Sequence, residues 1–100
     1  MFSKLYEEIG GFDYEKYKID EDDFGLCKPE DREFKVIKDH HSWYYEGEVL
    51  KGTSIRHGRG LLIMYPVLME GYWKNNKRHG RVLTISLSGV YDISEWLDEK

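Results

Sequence analysis

The chain has 100 residues, with 15 basic and 19 acidic side chains and a net charge of −4. That length sets one domain as the default and excludes a large buried core. The acid excess argues against a nucleic-acid surface, and aromatics at 15% argue against disorder, because disordered chains lack the large side chains that offset ordering entropy.

Cys27 is the lone cysteine, so an internal disulfide is excluded and a reducing compartment is the simplest setting. Phe2 to Ile9 is broken by Lys4, Glu7 and Glu8, unlike a secretory leader. The uncharged run 60–69 is too short to span a bilayer as a helix. A cytoplasmic location is expected, with cytoskeletal or peripheral-membrane attachment as alternatives. The initial Met and the short stretch after Trp96 are those expected of a complete small protein.

Residues 1–31 read as an acidic, aromatic-rich arm outside any repeat, with 4 basic and 10 acidic residues. Phe2, Leu5, Tyr6 and Ile9 have helical spacing, and Gly10-Gly11 would end such a helix. Phe12, Tyr14, Tyr17 and Ile19 follow without a clear period. Asp20, Asp22 and Gly25 imitate part of a calcium loop. Phe24 offers no oxygen at the fifth position, Asp31 is too short at the twelfth, and Pro29 opposes the exiting helix, so calcium binding is rejected. The arm either folds back over the rest of the chain or docks on a partner, and docking is favoured.

Residues 32–100 read as a β-sheet. Phe34 to Ile37 and Trp43 to Glu48 form a first hairpin around Lys38-Asp39-His40-His41. A repeat then sets in. Tyr45-Glu46-Gly47 recurs as Met69-Glu70-Gly71 after 24 residues and as Tyr91-Asp92-Ile93 after a further 22. His57-Gly58-Arg59-Gly60 is matched by His79-Gly80-Arg81-Val82, and Gly52 by Asn76. The length difference falls in the turns, where repeats tolerate it best.

These residues resemble the MORN (membrane occupation and recognition nexus) repeat. Its unit runs Tyr-x-Gly-x-Trp, a turn with Gly, then Gly-x-Gly and an apolar strand. The units here are 45–68 and 69–90, with partial units at both ends. Val49 stands where the unit has Trp, Met69 where it has Tyr, and Val82 and Ile93 where it has Gly. The resemblance implies an all-β, single-layer antiparallel meander of about six strands serving as a scaffold, dimerising rod, membrane-associated part or docking groove.

The residue pattern supports the same hairpins. A four-residue turn Asn75-Asn76-Lys77-Arg78 between Met69–Lys74 and Arg81–Leu87 sets Trp73 opposite Gly80. Alternation then gives one face to Met69, Gly71, Trp73, Gly80, Val82 and Thr84. Glu70, Tyr72, Lys74, Arg81, Leu83 and Ile85 take the other. In the first unit Tyr45, Gly47 and Val49 share a face with Gly58, Gly60 and Leu62. Gly47, Gly52, Gly58, Gly60, Gly71, Gly80 and Gly89 are read as structural glycines. Glu95-Trp96-Leu97 is expected to cap the last strand.

Two binding surfaces are predicted. Trp43, Tyr45, Tyr72, Trp73 and Tyr91 form an aromatic sheet face for a protein partner. Lys51, Arg56, Arg59, Lys74, Lys77, Arg78 and Arg81 gather on one hairpin edge suited to an anionic partner. Neither a catalytic nor a metal site is expected. His57 and His79 are set about 10 Å apart by the repeat, too far for easy joint ligation, and a histidine before Gly more simply holds a turn. The serines lack a nucleophile frame, and Cys27 lacks an activating neighbour. The sequence therefore points to a non-enzymatic scaffold or assembly subunit without cofactor, binding a protein within a larger assembly. The alternative is a membrane-surface adaptor for anionic lipid headgroups. Nucleic acid is not expected as a partner, and homodimers are compatible with the repeat.

Overall fold

The computed structural model describes residues 2–19, 28–38 and 43–96, with side chains from Tyr6 onward. The calcium-loop imitation, Phe24, Cys27, Asp39, His40, His41 and Leu97 lie outside the described residues. A short helix, α1 (Phe2–Ile9), precedes six strands: β1 (Arg32–Lys38), β2 (Trp43–Leu50), β3 (Arg56–Met64), β4 (Val67–Lys74), β5 (Lys77–Ser86) and β6 (Tyr91–Trp96). They form one antiparallel sheet in the order β1-β2-β3-β4-β5-β6. This is the all-β single-layer meander expected from the hairpin pattern.

The two central hairpins repeat each other's geometry. In β2–β3, Gly47 faces Gly60, and the register then slips so that Val49 faces Arg56. In β4–β5, Gly71 faces Val82, and the register slips at the next step, so that Tyr72 faces His79. Both slips are bulges whose extra residues include a glycine at positive φ, Gly58 at 114° and Gly80 at 74°. A side chain there would be forced into a region L-residues rarely occupy.

The bulge corrects the sequence-based register. The expected pairing holds from Val67 to Gly71, but beyond it Trp73 faces Arg78 and Lys74 faces Lys77. The turn is two residues, Asn75 and Asn76, with φ of 52° and 70°. Two asparagines in the left-handed region match the twist of paired strands better than a longer loop. Trp73 therefore does not lie opposite Gly80. Its glycine neighbour is Gly58 on β3, and Gly80 faces Trp96. Likewise Val49 meets Arg56 and not Gly58.

The arm folds back across one face of the sheet, which corrects the preference for docking over residues 6–19. Gly10 and Gly11 turn the chain out of α1, both amides bonding to the Tyr6 carbonyl. Phe12 then inserts into a core with Leu68, Tyr72, Leu83 and Ile85, and Tyr6, Ile9, Tyr14, Tyr17 and Ile19 pack around it. A single sheet needs cover for an apolar face, and the arm supplies the apolar side chains nearest in sequence. The opposite face holds a second core of Tyr45, Val49, Leu62 and Trp73, flanked by Ile37, Trp43 and Met69.

Candidate functional site: a groove beside the arm

On the arm-covered face, a groove of about 650 Å³ runs between the arm and β1. Tyr14, Lys18 and Ile19 form one wall and Arg32 and Phe34 the other. The floor is Glu46, Gly47 and Glu48 of β2, Arg59, Gly60 and Leu61 of β3, and Glu70 and Tyr72 of β4. The groove exists because the arm crosses β3 to β5 and leaves β1 uncovered; Phe34 there is 69% exposed.

Its polar groups are held in place. The Glu70 carboxylate, almost buried, accepts from the Tyr6 hydroxyl at 2.8 Å and from the Phe12 amide at 2.9 Å. Burial first, and the Glu70 bond second, push the Tyr6 phenol far above the usual tyrosine range. Tyr14 is pushed up as well, by burial and then by the Glu70 charge. Glu48 accepts from the Arg59 amide at 2.8 Å and pairs with Arg32 at 3.5 Å. Glu46 accepts from the Tyr44 hydroxyl at 2.8 Å. Three carboxylates and three cationic side chains thus line the groove, with Arg32 and Glu48 paired.

The predicted aromatic surface is not one face. Tyr45 and Trp73 are fully or nearly buried in the second core. Their rings meet edge to face at 6.1 Å. The Trp73 indole donates to the Gly60 carbonyl at 3.0 Å, and the Tyr45 hydroxyl donates to the Glu48 carbonyl at 2.8 Å. Tyr72 lies on the other face beneath Tyr14, whose ring meets it at 5.4 Å. Trp43 flanks the second core, and Tyr91 is half-exposed on β6. The alternation that assigned these rings to a binding face is also the alternation of a core, and the core took the largest of them.

The predicted basic edge is divided in the same way. Arg56 lies over Trp73 and Tyr45, at 5.0 and 5.9 Å from the ring centres, and Arg78 stacks 3.6 Å from Trp96. On the arm side Arg59 lies 4.8 Å from Tyr14 and Arg81 lies 5.8 Å from Tyr17. Lys51, Lys74 and Lys77 stay at the hairpin tips. Four of the seven cations therefore cover rings on two opposite faces, where stacking uses the planar guanidinium.

His57 is buried, and its Nδ1 accepts from the Asn75 amide at 3.1 Å. Beside it, the Arg56 amide donates to the Asn76 side chain at 2.8 Å, and the Asn76 amide donates to the Arg56 carbonyl at 2.9 Å. The histidine holds the turn of the following hairpin, as its place before Gly suggested. Among the described residues, no group of three His, Cys, Asp or Glu is placed to hold a metal ion. No helix among them is long and apolar enough to cross a membrane.

Lys18, Phe34, Glu46 and Glu70 were missed as site residues. Nothing local marks them, because they come together only when the arm folds back. No protein-family model matches this chain, and no curated protein matches it significantly.

Proposed function

We propose that the chain is a non-enzymatic protein-binding module that takes an extended segment of a protein partner into the groove beside the arm. The observation that carries this reading is the groove's balanced lining: Glu46, Glu48 and Glu70 against Lys18, Arg32 and Arg59, with Phe34 as an exposed apolar wall. Such a lining matches a peptide of mixed charge with an apolar anchor, whereas a polyanion would meet three carboxylates. The resemblance to MORN repeats belongs to the same proposal; the two equivalent bulged hairpins support it, and it implies a scaffold or assembly role. The lipid-adaptor alternative is weaker, because the cations it needs are spread over two faces and stack on rings.

Peptides selected from a displayed random library on the wild-type chain test the proposal. The double variant Lys18→Glu, Glu46→Arg changes side chains that line the groove away from the buried cores. It is expected to weaken the selected peptides by roughly tenfold or more, the scale of a hot-spot contact, with an unchanged melting temperature. If vesicles of anionic lipid bind at physiological salt and Lys74→Glu, Lys77→Glu, Arg78→Glu abolishes that binding, while no groove-dependent peptide emerges, the lipid reading takes its place.

A further inference from the structure

We propose that the two open edges of the sheet are complementary, so that copies of this chain join head to tail, β6 of one copy against β1 of the next. This interface shares Phe34 with the rim of the groove, but it does not depend on a peptide binding there.

Topology makes the joint possible. The meander has six strands, an even number, so β1 and β6 run antiparallel. Placing β1 of a second copy beside β6 continues the alternation, with both copies in the same orientation and the same face upward. An odd number would have forced a parallel joint or a reversed copy.

The hydrogen-bonding groups are aimed correctly. The Lys51 amide bonds to the Asp31 carbonyl, and the Ser86 amide to the Val90 carbonyl. Antiparallel ladders alternate bonded and non-bonded pairs. Continued along the unbroken β1–β2 register, that alternation turns the backbone groups of Glu33 and Lys35 toward β2 and those of Phe34 and Val36 outward. Along β5–β6 it turns those of Asp92 and Ser94 toward β5 and those of Tyr91 and Ile93 outward.

Side chains then select the register. β1 carries three basic residues and one acidic, while β6 carries two acidic residues and none basic. Setting Phe34 opposite Ile93 places Val36 opposite Tyr91 on the arm side of the sheet. It also places Lys35 opposite Asp92 on the other side. Phe34, Val36 and Tyr91 are exposed apolar side chains in the separate chain, at 69%, 46% and 51%, and the joint covers all three. Sliding by two residues one way brings Glu33 against Asp92. Sliding the other way sets Phe34 against Glu95. Sliding by one puts every side chain on the wrong face. Lysines on an edge strand ordinarily guard it against pairing; here Lys35 has a carboxylate to meet. Because the contact is heterologous, its products are open filaments or closed rings.

Sedimentation velocity of the full chain over a range of concentrations tests this. The wild type is expected to gain mass with concentration. Lys35→Asp alone or Asp92→Lys alone, both at exposed positions, places like charges across the joint and should lower association roughly tenfold. An equimolar mixture of the two variants should recover assembly, since every joint between unlike chains again pairs opposite charges. Val36→Pro, which removes an outward amide and leaves the β1–β2 bonds in place, should also block it. The groove variant Lys18→Glu, Glu46→Arg should assemble like the wild type, which separates failure of this idea from failure of the groove. A wild type that stays monomeric throughout overturns the proposal. So does Asp92→Lys without effect, which indicates β1 pairing with its own twin, or a mixture that fails to recover.

Discussion

The two faces of this sheet solve the same problem differently. One face is covered by a separate stretch of chain: Phe12, Tyr14 and Tyr17 pack edge to face and at tilted angles over Tyr72 and the β4–β5 aliphatics. The other face covers itself. Tyr45 lies over Gly60, Trp73 bonds back to the Gly60 carbonyl, and Arg56 closes over both rings. The difference shows that adjacent rings on one strand need not share a role: Trp73 belongs to the self-covered core and Tyr72 to the arm-covered one. Gly60 leaves room for the Tyr45 ring to bury itself on its own sheet, whereas Tyr72, packed with Leu83 and Ile85, is covered by Phe12 and Tyr14 of the arm.

Phe12→Ala should break the arm-covered side with the largest effect. Loss of a buried phenylalanine costs about 3–5 kcal/mol when the site cannot collapse. Hydrogen exchange should show the arm losing protection while the β2–β3 ladder keeps its own. Equal loss across both faces would mean that the two cores are one cooperative unit.

Gly60→Ala tests the self-covered side. A methyl group there would run into the Tyr45 phenol, so the ring must lift and Trp73 with it. Overpacking of this kind costs roughly 1–3 kcal/mol. Gly89→Ala, in the β5–β6 turn with open space around its Cβ position, should cost less, although a side chain at its positive φ is strained. Denaturant melts of the pair rank them, and equal losses would remove the close approach as the reason for Gly60.

The smallest effect distinguishes the faces by pH. Tyr6 and Tyr14 have phenols raised above their ordinary value of 10.0, so the folded arm favours their neutral form. That contribution is fully present below pH about 10 and is lost as pH rises further, since the unfolded chain ionises first. Tyr6→Phe removes the bond to Glu70, worth about 1 kcal/mol for a partly exposed pair. It should also flatten the alkaline fall in stability. Melts at neutral pH and above pH about 10 check both. An unchanged alkaline limb would place the fall on other groups, such as Tyr45, which burial also raises.

Much of the fold was legible because hairpin signals are local. The 24- and 22-residue offsets, the turn residues and the alternation located six strands, and Gly10-Gly11 correctly ended α1. The register beyond Gly71 was not legible. The bulge here adds two residues, Gly80 and Arg81, to β5, and glycine permits it without demanding it, so Gly80 could be read as a cross-strand partner of Trp73 or as part of the bulge itself. The candidate groove was not legible either, because Tyr14 and Lys18 are remote in sequence from Phe34 and Glu46.

The sequence by itself determined the strand sequence, the antiparallel meander and the places where the chain turns, since each depends on short-range periodicity and on residues that tolerate positive φ. Only the tertiary structure decided which face the arm covers, which rings are core, and that Glu70 pins the arm through Tyr6 and Phe12. Those outcomes depend on competition among apolar groups for the same buried surface. Such competition is settled by shape and reach across the folded sheet, which no stretch of neighbouring residues contains.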